Sequence, residues 1–474
     1  MGCESSKLIK NTTIYALGDI VPKVISFLIF PVLTSYLSPE DYGIINYVNT
    51  LNLLLTILGF CGLNTYYLVY YYRQEDERQQ KLLLGSLSLF VIGINLLFTI
   101  AVCILGYLFP NLFSDKIEFY PYVFVGIITN FFNLLTILPS ALYRMKEKPL
   151  PITILAVLRG VIYSVFTVLL VSIYGYKSMG VLVIQMLLSI IFGLIFIGIT
   201  WRDTLWHFNF SIIKKGLIFS LPLLPGSLAY YFISMSDRFF IERYLDLTQL
   251  GIYSTAATLA LVINIVTNSA YKSFEPYFFK IYGTENFDYK FLTVRKSYFF
   301  ITLIACLCIA IYAKEFFYLF ASEKYQTVYY YVPMIEVGVI FSAFTLIHAT
   351  LITAQGRTKI NSIYTLIGAA ISFLINMFLM PFWGLAAACM ASALSCGVIM
   401  CLSVYSSNQT KGVSSLFISF LLSAIAVLFL VYCIQWANIY VSISVKTISL
   451  FGIIYLVMRI QHIDIKQYVS FFKI

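Results

Sequence analysis

The stretch RMKEKPLPITILAVLRGVIYSVFTVLLVSIYGYKSMGVLVIQMLLSIIFGLIFIGITWR, residues 144–202, decides the fold. Two apolar blocks, Leu150–Tyr174 and Met179–Trp201, are separated by four residues and bounded by basic loops. Neither block alternates as a half-buried strand does. About 20 residues coiled as a helix match the roughly 30 Å hydrocarbon core of a bilayer. A membrane barrel needs short alternating strands of about 10 residues instead. The pair therefore reads as a transmembrane helical hairpin, with one arginine, Arg159, inside its first arm.

The same pattern extends over the whole chain. Further apolar blocks run near Asn11–Tyr36, Gly43–Tyr70, Leu82–Phe109, Phe119–Tyr143, Gly216–Ile241, Gly251–Phe274, Tyr298–Phe320, Val328–Ala354, Ile360–Met380, Gly384–Tyr405, Val413–Gln435 and Val441–Val457. Polar punctuation such as SPED (38–41), RQEDERQQK (73–81) and QGRTK (355–359) separates them. Composition agrees: 60% of residues are hydrophobic and 11% charged, against roughly 25% charged in soluble domains. The fold class expected is an all-α polytopic membrane protein of about 14 transmembrane helices. The net charge of +10 does not imply nucleic acid, because the basic residues sit in short loops and form no cluster. Nine cysteines, with no CxxC, and three histidines suggest neither a disulfide framework nor a metal centre. The opening MGCESS fits an N-myristoylation pattern, but coincidence is the better reading in a chain already anchored many times.

Loop charges orient the chain. With the N-terminus inside, 22 of the 31 Lys and Arg residues fall on the cytoplasmic side, 5 on the opposite side, and 4 within spans. This bias places both termini in the cytoplasm.

A faint repeat relates YLSPEDYGIINYVNTL, from Tyr36, to YLDLTQLGIYSTAATL, from Tyr244, with Gly43 aligned to Gly251. An even number of spans separates the copies, so the repeat is parallel about an axis along the membrane normal. The expected architecture is a six-helix bundle (1–201), an interfacial linker (202–215), a second six-helix bundle (216–408), and two further helices with a tail (409–474). The bundles would be in pseudo-twofold arrangement, a design suited to opening a central cavity alternately to each side.

These segments also carry a resemblance. Asn11 before a span with Gly18, Lys23 and Pro31, then YLSPEDYG, is similar to the start of bacterial Wzx-type polysaccharide flippases. LPLLPGSLAYYFISMSDRFFIERYLDLTQLGIYSTAATL, residues 221–259, resembles that family more closely, through its Asp-Arg-Phe and Gly-x-Tyr elements. The resemblance implies the MOP-superfamily fold shared with MATE exporters. It also implies a substrate, an undecaprenyl-pyrophosphate-linked oligosaccharide moved from the cytoplasmic to the outer leaflet of a bacterial inner membrane. Its products would be O antigen, capsule or a related polymer. Implied partners are membrane lipid, a polysaccharide polymerase and a chain-length regulator; no cofactor is implied, and the sequence leaves open whether a proton or a sodium gradient drives transport.

Ionisable groups at bilayer depth cost roughly 2.5–3.5 kcal/mol each on insertion scales and usually face a cavity or a partner. The candidates for the cavity are Asp19, Lys23, Arg159, Asp237 and Arg238. Asp19 and Lys23, four apart, share one helix face. Arg159 has no acidic residue within a turn and suits a pyrophosphate, though snorkelling to headgroups competes. Asp237 and Arg238 are adjacent, so on an unbroken helix they do not face one another. Glu336, near the outer end of its span, is expected to reach water; His348 to be a packing residue; Lys446 to snorkel from a peripheral helix. Tyrosines 66, 67, 70, 71 and 72 read as an interfacial belt. The mid-span amides Asn52, Asn133, Gln185, Asn264, Asn268 and Asn376 either contact sugar or bond neighbouring helices. A MATE-type drug exporter is the rival on the same fold, with Asp19 available as a cation site. An enzyme is disfavoured: no loop is long enough to house a catalytic domain, and Glu75, Asp76 and Glu77 lie in a short basic-flanked turn.

Overall fold

The computed structural model describes residues 2–74, 76–433 and 439–461. Among these residues no strand forms, and the apolar blocks are helices. The first is α1 (Gly2–Tyr36), whose apolar part is Ile20–Tyr36. Thirteen more helices are long and apolar enough to cross a membrane. They are α2 (Pro39–Phe60), α3 (Glu77–Leu108), α4 (Phe119–Met145), α5 (Pro149–Ile173), α6 (Lys177–Asp203), α7 (Phe210–Met235), α8 (Leu247–Lys272), α9 (Phe287–Phe320), α10 (Val332–Ala354), α11 (Thr358–Trp383), α12 (Leu385–Ser406), α13 (Val413–Tyr432) and α14 (Tyr440–Gln461).

Local chemistry sets the boundaries. SPED is a capping box: the Asp41 N–H donates to Ser38 Oγ at 3.2 Å, and the Ser38 N–H donates to Asp41 Oδ2 at 3.0 Å. Pro39 occupies the first turn, where its missing N–H costs nothing. The span read as Gly43–Tyr70 is interrupted by Cys61 and Gly62, at φ 51° and 68°, before helix resumes over Leu63–Tyr70. The left-handed pair ends α2, since continuing a helix requires negative φ. Helix α9 starts eleven residues before the apolar block, because hydropathy marks only the part of a helix that meets lipid. That amphipathic extension is pinned by Arg295, which donates to the carbonyls of Gln409, at 2.5 Å, and Lys411.

The chain forms two compact units: Met1–Leu228 with Asp246–Gly251, and Ala229–Leu245 with Ile252–Ile474. In the first, α1 packs on α5 and α4 on α6. Small residues permit the approach: a Cβ on Gly160 would sit 3.0 Å from that of Pro22, and one on Gly193 would sit 2.8 Å from the Phe132 carbonyl oxygen. Lipid removes the hydrophobic drive between helices, so such close backbone packing holds the bundle. In the second unit α10 and α12 pack tightly, and α9 supports α10, α13 and α14. Their shared core includes Phe299, Leu303, Leu307, Phe344 and Phe420.

Candidate functional site

Four helices of the first unit turn polar side chains toward one cleft of about 330 Å³. On α2, Asn49, Asn52 and Thr56 recur at helical spacing and so share a face. Helix α4 contributes Thr129, Asn130 and Asn133. Helix α6 contributes Gln185 and Ser189, and α5 contributes Arg159. Hydrogen bonds tie the walls together: Thr56 Oγ1 donates to Asn130 Oδ1 at 2.5 Å, and Ser189 Oγ donates to Asn133 Oδ1 at 3.0 Å.

Arg159 is the cation of this cleft. Its guanidinium donates to Asn133 Oδ1 at 2.8 Å and to Ser189 Oγ at 3.1 Å, and lies 5.9 Å from the centroid of the Phe192 ring. Among the described residues no aspartate or glutamate lines the cleft. Neutral oxygens fix the guanidinium without cancelling its charge, leaving it able to attract an anion. Asn52 Oδ1, also on the wall, is buried with no hydrogen-bond partner. On its other side Arg159 borders a second, more apolar pocket of about 380 Å³, with Pro22, Leu155, Tyr163 and Phe196 among its walls.

The other sequence candidates fall elsewhere. The Asp19 side chain lies outside the described residues. Lys23 is exposed on α1, beside Pro22 of the apolar pocket. Asp237 and Arg238 belong to the second unit, and here the structure corrects the expectation from helix geometry. The helix breaks at Ser236, between Met235 and a short segment Asp237–Tyr244. Asp237 and Arg238 both lie in that segment, and the long Arg238 side chain folds back to donate to Asp237 Oδ1 at 2.9 Å, while the Tyr253 hydroxyl donates to the other oxygen. Both charged residues are buried, and each neutralises the other.

Two further corrections concern charge, and one expectation agrees with the structure. Lys446 does not snorkel: it is fully buried and donates to both Glu315 oxygens, at 2.7 and 2.8 Å, while Ser442 adds a hydrogen bond at 2.5 Å. The pair fastens α14 to α9. Glu336 does not reach water but is 2% exposed. His348 is buried, and its Nδ1 lies 2.8 Å from Ser407 Oγ, a packing role. Of the amides, Asn52, Asn133 and Gln185 meet in the cleft, whereas Asn264, Asn268 and Asn376 lie in the second unit. Among the described residues no group of His, Cys, Asp and Glu could hold a metal ion.

The helix succession defines the class, a multi-pass membrane protein with the fold of the MOP superfamily. Solved structures with this fold include the lipid II flippase MurJ in an inward closed conformation, at TM-score 0.71 and 14% identity, covering 94% of this chain and 99% of that chain. A multidrug resistance MATE family transporter of the MOP superfamily, inward-facing, gives TM-score 0.59 at 14% identity, over 85% and 99% of the two chains. The chain belongs to the family described as "Polysaccharide biosynthesis protein", which matches residues 8–282. Its relatives include an uncharacterized membrane protein and "Lsg locus putative protein 1", both of Haemophilus influenzae strain Rd. They are 24% and 25% identical over 284 residues, 58% of this chain. The matches span 65% and 66% of those relatives' lengths.

Proposed function

We propose that this protein is a flippase for an undecaprenyl-pyrophosphate-linked oligosaccharide, carrying it from the cytoplasmic to the outer leaflet of a bacterial inner membrane. The observation that carries this reading is the Arg159 guanidinium held by neutral partners in a cleft lined, among the described residues, by amides and hydroxyls. A head group leaving water needs replacement partners for its hydroxyls and its phosphates. Amides and hydroxyls supply the first, and a fixed cation supplies the second. Membership of a polysaccharide biosynthesis family supports the same cargo class. The polyprenyl tail stays in lipid, while alternating exposure of the cleft to the two sides moves the head. Both termini face the cytoplasm, and the repeat unit serves O-antigen, capsule or related polysaccharide synthesis beside a polymerase and a chain-length regulator. A MATE-like exporter of cationic drugs is opposed by Arg159, a cation set in the cleft, where the described residues offer no carboxylate.

The test is the sidedness of the lipid-linked oligosaccharide in a deletion strain lacking other flippases, read with an impermeant glycan label on spheroplasts. Inner-leaflet accumulation, relieved by the intact gene, is expected. Unchanged outward display would move the drug-exporter reading to first place.

A further inference from the structure

Within the second unit a cavity of about 150 Å³ lies among α9, α10 and α13. Its wall is apolar, with Leu303, Ile340, Phe420 and Val427 prominent, and the one carboxyl in it is Glu336. This residue sits one turn after Val332 on α10, is 2% exposed, and has no hydrogen-bond partner at Oε1. That is unlike the other two buried span carboxylates described above. Glu315 is held by Lys446 and Ser442, and Asp237 by Arg238 and Tyr253.

The titratable groups facing Glu336 are the Cys306 and Cys308 thiols of α9 and the Tyr432 phenol at the end of α13. All are acids, and among the described residues no cation compensates the carboxyl. Ser423, the hydroxyl on the α13 wall, is already turned to the Ser419 carbonyl at 2.8 Å. A carboxylate without water, donor or cation is unstable in such surroundings by many kcal/mol, whereas the neutral acid is tolerated. The cavity nevertheless has room for water. An ionised form can therefore exist whenever the cavity is wet.

We propose that Glu336 is a reversible proton-binding site. It carries a proton while its apolar surroundings leave the carboxyl without a donor, and loses it when water reaches it. The acid O–H bond breaks, the proton passes to water as hydronium, and a carboxylate remains; protonation reverses the step. In the topology set by the loop charges, α10 begins on the outer side, so the exchange is with the outside. The charge of this unit then follows the pH of the outer compartment. The inference goes beyond the proposed cargo and stands whatever the cargo is.

Infrared difference spectra of the full chain in proteoliposomes test it, comparing wild type with Glu336→Gln across pH. The expected result is one protonated carboxylic acid band at neutral pH, absent from Glu336→Gln, that declines reversibly as pH rises. Glu336→Asp, which moves that band in frequency, keeps the assignment available if the glutamine variant does not accumulate. A band that belongs to an ionised carboxylate at neutral pH overturns the proposal. So does an acid band unchanged over the whole pH range in which the protein stays folded.

Discussion

Arg159 and Asn133 are joined by a 2.8 Å hydrogen bond from guanidinium to amide oxygen, across α5 and α4. The bond aims a cation without neutralising it, and that distinguishes the part-buried Arg159 from the other arginine candidate, the buried Arg238, whose charge is answered by Asp237. Replacing Arg159 by alanine should reduce export at least tenfold with little loss of protein. A charge-assisted hydrogen bond is worth about 1.5–3 kcal/mol, and an anionic head group would lose at least one. Arg159→Lys should recover only part, since an ammonium cannot reach Asn133, Ser189 and a phosphate in one plane. Surface polysaccharide in a complemented deletion strain, normalised to protein by immunoblot, gives the readout. Full export by Arg159→Ala would remove the residue from the mechanism.

Glu315 and Lys446 should behave as a unit. Breaking a buried pair from one side leaves an uncompensated charge and costs about 3–5 kcal/mol. Glu315→Gln and Lys446→Met should therefore each lower the unfolding temperature in detergent markedly. The double variant should lie closer to wild type than the sum of the two. Strict additivity would deny the coupling.

The Asp237–Arg238–Tyr253 cluster permits a graded comparison. Tyr253→Phe removes one neutral donor and should cost about 1 kcal/mol. Asp237→Ala strands the buried Arg238 guanidinium and should cost several times more. Equal unfolding temperatures for the two variants would contradict this reading of the cluster.

Gly43 and Gly251, the aligned glycines of the sequence repeat, meet within the first unit. A Cβ on Gly251 would collide with the Pro39 carbonyl oxygen, and one on Gly43 with that of Leu247. Backbone cannot yield as a flexible side chain can, so Gly251→Ala should destabilise by about 1–3 kcal/mol. Gly93→Ala, where nothing lies within 4 Å of the added carbon, should be neutral. Thermal stability of the purified variants decides between them.

Much of this fold was legible because lipid imposes one rule on every span. Apolar length gave the helices near their observed positions, and the repeat singled out Gly43 and Gly251 before their contact was known. Breaks inside spans were not legible: hydropathy is blind to the left-handed pair at Cys61 and Gly62 and to the interruption at Ser236. The Asp237–Arg238 pair was not legible because helical spacing alone leaves out an arginine long enough to fold back on its neighbour. Lys446 was misread because its partner, Glu315, is 131 residues away, and a long-range pair leaves no local signal. In the cleft, Arg159, Asn52, Asn133 and Gln185 were singled out from the sequence one by one. Asn49, Asn52 and Thr56 at spacings of three and four could have been read as a polar face of α2. Thr129, Asn130 and Asn133 are the matching signal on α4. Only the packing of α2, α4, α5 and α6 showed that these faces converge.

The most direct measurement is translocation by the purified full chain in vesicles holding undecaprenyl-pyrophosphate-linked oligosaccharide on one leaflet. An impermeant glycan-modifying enzyme outside would read the transfer. The account predicts transfer above protein-free vesicles with the wild type and a loss of at least tenfold with Arg159→Ala. Wild-type vesicles that move no more glycan than protein-free ones, while a cationic dye is exported, would contradict it.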